Sequence, residues 1–187
     1  MDALMAAFVG AILCQASDRS AWLAAMLGDR YPKHGQVIIA AALALAIGNG
    51  VGAVGGMLIA PIMTPNARAL LLGLALVSAG VAALFRAKRP TPLRAGAGAF
   101  LTALICLLAI SMGDKTQFLT VALAARAPIP ALAAIGATLG SLVVIIPAIL
   151  AGESHYRSLP HRPVRITIGL VLMVTGLISA LGAMRLI

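Results

Sequence analysis

The chain has 187 residues, 61% of them hydrophobic and only 10% charged, with a formal net charge of +9. A soluble domain carries about 25% charged residues and one this small could not bury so much apolar surface, so the composition excludes a soluble fold and predicts an all-α, polytopic membrane protein. The positive charge does not point to nucleic acid, because the bases sit between apolar runs and aromatics, at 4%, are too few to stack on bases.

Six apolar spans are expected in chain order. They run from about Ala3 to Leu27, Gln36 to Ala60, Ala67 to Phe85, Gly96 to Ala125, Pro130 to Ala151 and Pro163 to Met184. Each approaches or exceeds the ~20 residues that cross a bilayer. The fourth is long enough to tilt or to break near Gly113. Prolines punctuate the loops, and Pro147 alone falls inside a span, where it kinks a helix and frees a carbonyl. Met1-Asp2-Ala3 lacks the positive segment of a cleavable signal. Cys14 and Cys106 fit no metal or redox spacing and read as small buried hydrophobes.

The second half of the chain repeats the first without gaps. Asp114 lies 96 positions after Asp18, and the same shift matches Arg30 with Arg126, Pro32 with Pro128, Gly56 with Gly152, Gly73 with Gly169 and Gly80 with Gly176. Trp22 falls on Phe118. The expected domains are therefore a three-helix repeat over 1–91, a basic cytoplasmic linker over 92–96, and a second three-helix repeat over 97–187. Three spans per repeat force the second to enter the membrane from the opposite side, so two inverted three-helix repeats are predicted, an architecture of secondary transporters. The loops after spans one, three and five hold Arg30, Lys33, Arg86, Lys88, Arg89, Arg94, Arg157, Arg162 and Arg165, against Arg68, Arg126 and Arg185 on the other side. By the positive-inside rule the first set is cytoplasmic and both termini lie outside, in a cell (inner) membrane. Glycines at four- and seven-residue spacing, Gly48/Gly52/Gly56, Gly136/Gly140, Gly73/Gly80 and Gly169/Gly176, predict close helix packing.

Two polar stretches interrupt the apolar runs: Gln15-Ala16-Ser17-Asp18-Arg19-Ser20 and Ser111-Met112-Gly113-Asp114-Lys115-Thr116. Ionisable residues inside a membrane are costly and mark function. On a continuous helix Gln15, Asp18 and Trp22 share a face, as do Ser111, Asp114, Gln117 and Phe118, whereas Arg19 and Lys115 point about 100° away. Each face offers a carboxylate, neutral oxygens and an aromatic cover. No histidine lies in a span, since His34, His155 and His161 are in loops. An all-oxygen set suits Ca²⁺, Mn²⁺ or Mg²⁺ rather than Zn²⁺ or Cu⁺. A carboxylate in a low-dielectric setting can hold either a proton or a share of a metal ion, the minimal basis for cation/proton exchange. The rival reading makes the two acids buried ion pairs that hold spans together; adjacent helix residues do not face each other, so such pairing would cross to another span. Asp2, Asp29 and Glu153 read as interfacial. Asn49, mid-span among glycines, is either interhelical glue or an extra ligand.

These stretches resemble the motif of a membrane family that carries Glu-x-Gly-Asp-(Lys/Arg)-(Ser/Thr) once in each of two three-span repeats. That family includes Golgi calcium/manganese–proton antiporters and bacterial manganese exporters. The resemblance implies a proton-coupled exporter of divalent cations. Its cation and proton ligands would be Asp18 and Asp114, the two metal-binding positions, with Ser20 and Thr116 nearby. The family's glutamates are replaced by Gln15 and Ser111, and its first-repeat glycine by Ser17. This site therefore brings two carboxylates where the family would bring four, and Gln15 and Ser111 can lend oxygen to a metal but carry no proton.

The function expected is export of Mn²⁺ or Ca²⁺ in exchange for protons. Gln15, Ser111 and Gln117 would add oxygen, and Arg19 and Lys115 would balance charge when the site is empty. Two alternatives are a transporter of another small solute on the same scaffold and a non-transporting membrane partner. The expected partners are the transported cation, protons and the bilayer; no cofactor, nucleic acid or enzymatic constellation is expected.

Overall fold

The computed structural model describes residues 1–16, 18–85, 90, 98–158 and 160–184. The linker expected at 92–96, Arg86, Lys88, Arg89, Ser17 and Arg185 lie outside the described residues. The described elements are helical, and no strand occurs among them.

The helices are α1 (Asp2–Gln15), α2 (Arg19–Arg30), α3 (His34–Ile59), α4 (Pro65–Leu84), α5 (Gly98–Ser111), α6 (Lys115–Ala124), α7 (Pro130–Ser158) and α8 (His161–Ala183), with a 3-10 turn at Ala60–Ile62 after α3. Four stretches are long and apolar enough to cross a membrane: His34–Ile62, Pro65–Leu84, Pro130–Ser158 and His161–Ala183. α5 and α6 pass the same test together as one span bent by 66°, and α1 is a shorter apolar helix. Outward-facing Ile39, Leu43, Leu74, Leu139, Val143 and Val174 are exposed, as expected of surfaces that face lipid tails rather than water. The protein is a helical, polytopic membrane protein.

The structure departs from the sequence reading at both polar stretches. The first expected span is two helices, α1 and α2, and the fourth is α5 and α6. The break near Gly113 agrees with expectation: Gly113 has φ 79, a conformation in which a side chain is penalised by roughly 1–2 kcal/mol. The break before α2 has no described glycine, and it follows instead from Asp18. Asp18 and Asp114 adopt extended dihedrals and act as N-caps, accepting from Ser20 N and Thr116 N. An aspartate that caps the next helix stops the preceding one. The faces drawn on continuous helices are therefore cut at the aspartates: Gln15 and Ser111 end the preceding helices, while Asp18 with Trp22 and Asp114 with Phe118 stay one turn apart at the starts of α2 and α6. α7 passes through Pro147, and its dihedrals leave helical values further on, at Gly152 (φ 74, ψ 173).

Packing brings the two halves into each other. α1 and α2 lie along α7, α5 and α6 along α3, and α4 against α8. The glycine stripes mark the close approaches. A Cβ on Gly136 would meet the Leu4 carbonyl, and one on Gly140 the Phe8 carbonyl, so α7 admits the backbone of α1. Gly48, Gly52 and Gly56 similarly admit Ser111, Gln117 and Val121. In α4 and α8 the glycines face one another: a Cβ on Gly80 would lie 2.7 Å from Gly169 O, and one on Gly176 2.8 Å from Gly73 O. Two apolar cores result, one of α2, α3, α5 and α7, the other including α1, α4, α6, α7 and α8. The polar stretches sit where the broken helices meet.

Candidate cation site

The two aspartates are positioned by the starts of helices. The N-terminus of a helix has free N–H groups and a positive dipole end, and it favours an anion. Asp18 supplies one at α2: its Oδ2 lies 3.4 Å from Ser20 N and 2.9 Å from Ser20 Oγ. Asp114 supplies one at α6, with Oδ2 3.4 Å from Thr116 N.

The ends meet across the two halves of the chain. Lys115 Nζ, from the first residue of α6, lies 3.0 Å from Asp18 Oδ1, the N-cap of α2. The pair is largely enclosed, each side chain 11% exposed. Asp114 directly precedes Lys115 as the N-cap of α6, so both acids stand at this junction. The sequence-predicted acids are thus brought together with an ammonium between the halves. Arg19 is exposed.

Gln15, at the end of α1, is buried. Its Nε2 donates to Ser141 Oγ on α7 at 3.3 Å, and its Oε1 accepts from the Ser20 hydroxyl. That hydroxyl also neighbours Asp18 Oδ2. One hydroxyl has one proton, so Gln15 Oε1, Ser20 Oγ and Asp18 Oδ2 form a cluster of oxygens with more lone pairs than donors. Such an excess is the chemistry a hard cation satisfies.

The second-repeat residues are arranged differently. Ser111 is buried against Gly48, and its hydroxyl donates to Leu108 O at 3.0 Å. Gln117 ties down the break: its Oε1 accepts from Gly113 N at 2.6 Å and its Nε2 donates to Gly48 O at 2.9 Å. Thr116 Oγ1 is buried and finds no hydrogen-bond partner among the described residues. Asn49 donates to Thr138 Oγ1 at 3.2 Å and accepts from Thr120 Oγ1 at 3.3 Å. It joins α3 to α7 and α6, the glue reading. Among the described residues no three His, Cys, Asp or Glu side chains gather where they could hold one metal ion; the two motifs bring together two carboxylates and neutral oxygens. A cavity of about 330 Å³ opens elsewhere, between the start of α1 and the end of α6, where Asp2, Leu72, Leu123 and Arg126 line it.

Ser141 and the lysine's reach were not among the expected ligands. Ser141 adjoins Gly140, the glycine that lets α1 approach, which is the one local sign that its side chain faces that helix.

Two broken helices, the second part of each starting at a capping aspartate, meet between the two halves of the chain, an arrangement that membrane transporters of the secondary type use for their sites. The family model of the divalent cation/proton antiporter GDT1 matches residues 3–91 and 99–186. The chain belongs to this GDT1 family of divalent cation/proton antiporters, whose members are transporters and not enzymes. No curated protein and no solved structure matches it.

Proposed function

We propose that the protein exports a divalent cation, Mn²⁺ or Ca²⁺, from the cytoplasm in exchange for protons, at a site shared by Asp18 and Asp114. The observation that carries this reading is the Lys115 ammonium held 3.0 Å from Asp18 at the junction of α2 and α6. A carboxylate from one half already binds a cation delivered by the other. A divalent ion displaces that ammonium, taking Asp18 and Asp114 as charged ligands and Gln15 and Ser20 as neutral oxygens. Protons on the same two carboxylates drive the ion off on the other side. Two carboxylates match one divalent charge and carry at most two protons, so these groups support no more than two protons per ion. Thr116 and Gln117 lie at the α6 start and Ser111 at the end of α5, where small rotations add oxygen.

The architecture we infer is six spans in two inverted repeats, with α1–α2 and α5–α6 as the broken first span of each. Support comes from the reciprocal packing of each broken helix on the third helix-pair partner of the other half, α7 and α3. Residues 2–6 share a cavity wall with 126–128, and Asp29 meets Gly152 and Glu153. These placements fit termini on the side opposite the basic loops, which we read as the cytoplasmic side.

The test is metal-driven proton flux in proteoliposomes containing the purified protein. Wild type should acidify or alkalinise the lumen on addition of Mn²⁺ or Ca²⁺, and Asp114→Asn should reduce this at least tenfold. Unchanged flux in Asp114→Asn ends the proposal. The rival reading, a structural ion pair without transport, draws on the same Asp18–Lys115 contact; it predicts that Asp18→Asn loses stability while wild type shows no metal-driven flux.

A further inference from the structure

The side-chain amide of Gln15 has two ends, and only one of them suits a cation. Oε1 can lend a lone pair, whereas the hydrogens on Nε2 repel a positive charge. Two serines bracket this amide, Ser20 at the start of α2 and Ser141 on α7. A serine hydroxyl both donates and accepts, so the amide has two bonded orientations. With Oε1 turned to Ser20, an oxygen stands on the Asp18 side, since Asp18 Oδ2 lies 2.9 Å from Ser20 Oγ. With Nε2 turned to Ser20, the same place presents an N–H group.

The structure holds the first orientation. Nε2 donates to Ser141 Oγ at 3.3 Å, and Oε1 accepts from the Ser20 hydroxyl. All three side chains are buried, and Ser141 has no exposed surface. Helix packing presents Ser141 to the amide. A Cβ on its neighbour Gly140 would meet the Phe8 carbonyl and lie 3.1 Å from the Cβ of Ala11, one turn before Gln15 on α1.

The other half of the chain has neither member of this pair. A shift of 96 sets Ser111 against Gln15 and Leu45 against Ser141. Ser111 donates to Leu108 O of its own helix, and Leu45 is part of the apolar core. The polar residue on the facing helix thus occurs in the half that has an amide to orient.

We propose that Ser141 is a positioning residue for cation binding, which accepts from Nε2 and so holds the Gln15 oxygen on the Asp18 side. The inference deepens the cation-exchange reading above and rests on it. A cation beside Asp18 attracts Oε1 and drives the Nε2 hydrogens to the far side. A buried N–H without an acceptor there is costly, and Ser141 Oγ is the acceptor in place. Without it the amide turns over. Nε2 then donates to Ser20, whose hydroxyl donates to Asp18, and the cluster exchanges an oxygen for a repelling N–H.

The experiment measures equilibrium binding to purified full-length protein in lipid nanodiscs, of Mn²⁺ from the loss of the free-ion EPR signal and of Ca²⁺ by dialysis. Ser141→Ala should raise the half-saturating concentration of the bound ion at least fivefold. Gln15→Ala should raise it at least as much, and adding Ser141→Ala to that variant should change it less than twofold, because no amide is left to orient. Gln15→Glu offers an oxygen at either end of the group, so there too Ser141→Ala should act less than twofold. A Ser141→Ala variant that binds within twofold of a wild type with saturable binding overturns the role of Ser141 and leaves the exchange reading standing. So does a loss of equal size with and without Gln15, the mark of a role in packing alone. A wild type that binds neither ion overturns the exchange reading, and this inference with it.

Discussion

Asp18 serves three partners at once: the α2 backbone at Ser20 N, the Ser20 hydroxyl, and Lys115 from the other half. Removing the lysine leaves a largely enclosed carboxylate without its counter-charge, a loss of about 3–5 kcal/mol for fully buried pairs and less here because the pair retains some exposure. Lys115→Met should therefore lower the melting temperature of the purified protein, and Ca²⁺ should restore more of it than in wild type. A variant that melts like wild type and gains nothing from Ca²⁺ would remove Lys115 from the site. Asn49 makes the opposite case. Both ends of its amide are engaged between helices, and interhelical bonds of this kind contribute on the order of 0.6 kcal/mol each. Asn49→Ala should cost on the order of 1 kcal/mol by thermal melt and leave the half-saturating cation concentration within twofold. A tenfold weaker cation response would make Asn49 a ligand after all.

At the scale of the element, the breaks and the glycine contacts decide the geometry. Much of this was legible in the sequence. The paired acids, the four- and seven-residue glycine spacing and the weak point at Gly113 all have local signatures. The first break is harder to see, because an acid inside an apolar run looks like a helix-interior ligand rather than an N-cap, although Asp18-Arg19-Ser20 and Asp114-Lys115-Thr116 both begin with a residue suited to capping. For Gln117, expected as an oxygen donor, the sequence does not show the amide contacts, since these depend on how α5 turns into α6 beside Gly48. The hydrogen bond from Trp22 to Glu153 has no local signature, because the two residues are 131 positions apart. At Gly136 and Gly140 no side chain fits without moving a backbone carbonyl of α1. Gly140→Val should push α1 off α7, cost roughly 1–3 kcal/mol, and pull Gln15 away from Ser141. Its expected signature is a combined loss of melting temperature and flux; a variant with both intact would show that α1 has room to shift.

At the scale of the whole molecule, neither half is complete. α7 is the bed for α1 and α2, α3 is the bed for α5 and α6, and α4 interlocks with α8. Almost every large interface crosses from one half to the other. Co-expressed fragments 1–91 and 97–187 should therefore assemble and co-purify, while either alone should be degraded or aggregate in the membrane. Stable, independently purified halves would contradict the interlocked packing. At the proposed site one ion is felt by both halves, since Asp18 and Asp114 start helices that belong to different ones.

In the proposed exchange, the two aspartates that cap α2 and α6 also make the ion a competitor of the helix itself. Each oxygen turned toward a metal or protonated is withdrawn from a backbone amide, and a lost cap costs a helix about 0.5–2 kcal/mol. Loading the site is thus tied to fraying of two first turns, a change that amide hydrogen exchange at Ser20 and Thr116 would read as faster labelling in the loaded protein. The cargo is held by groups that the polypeptide reclaims on its departure, so release is assisted by refolding of the turns that binding had loosened.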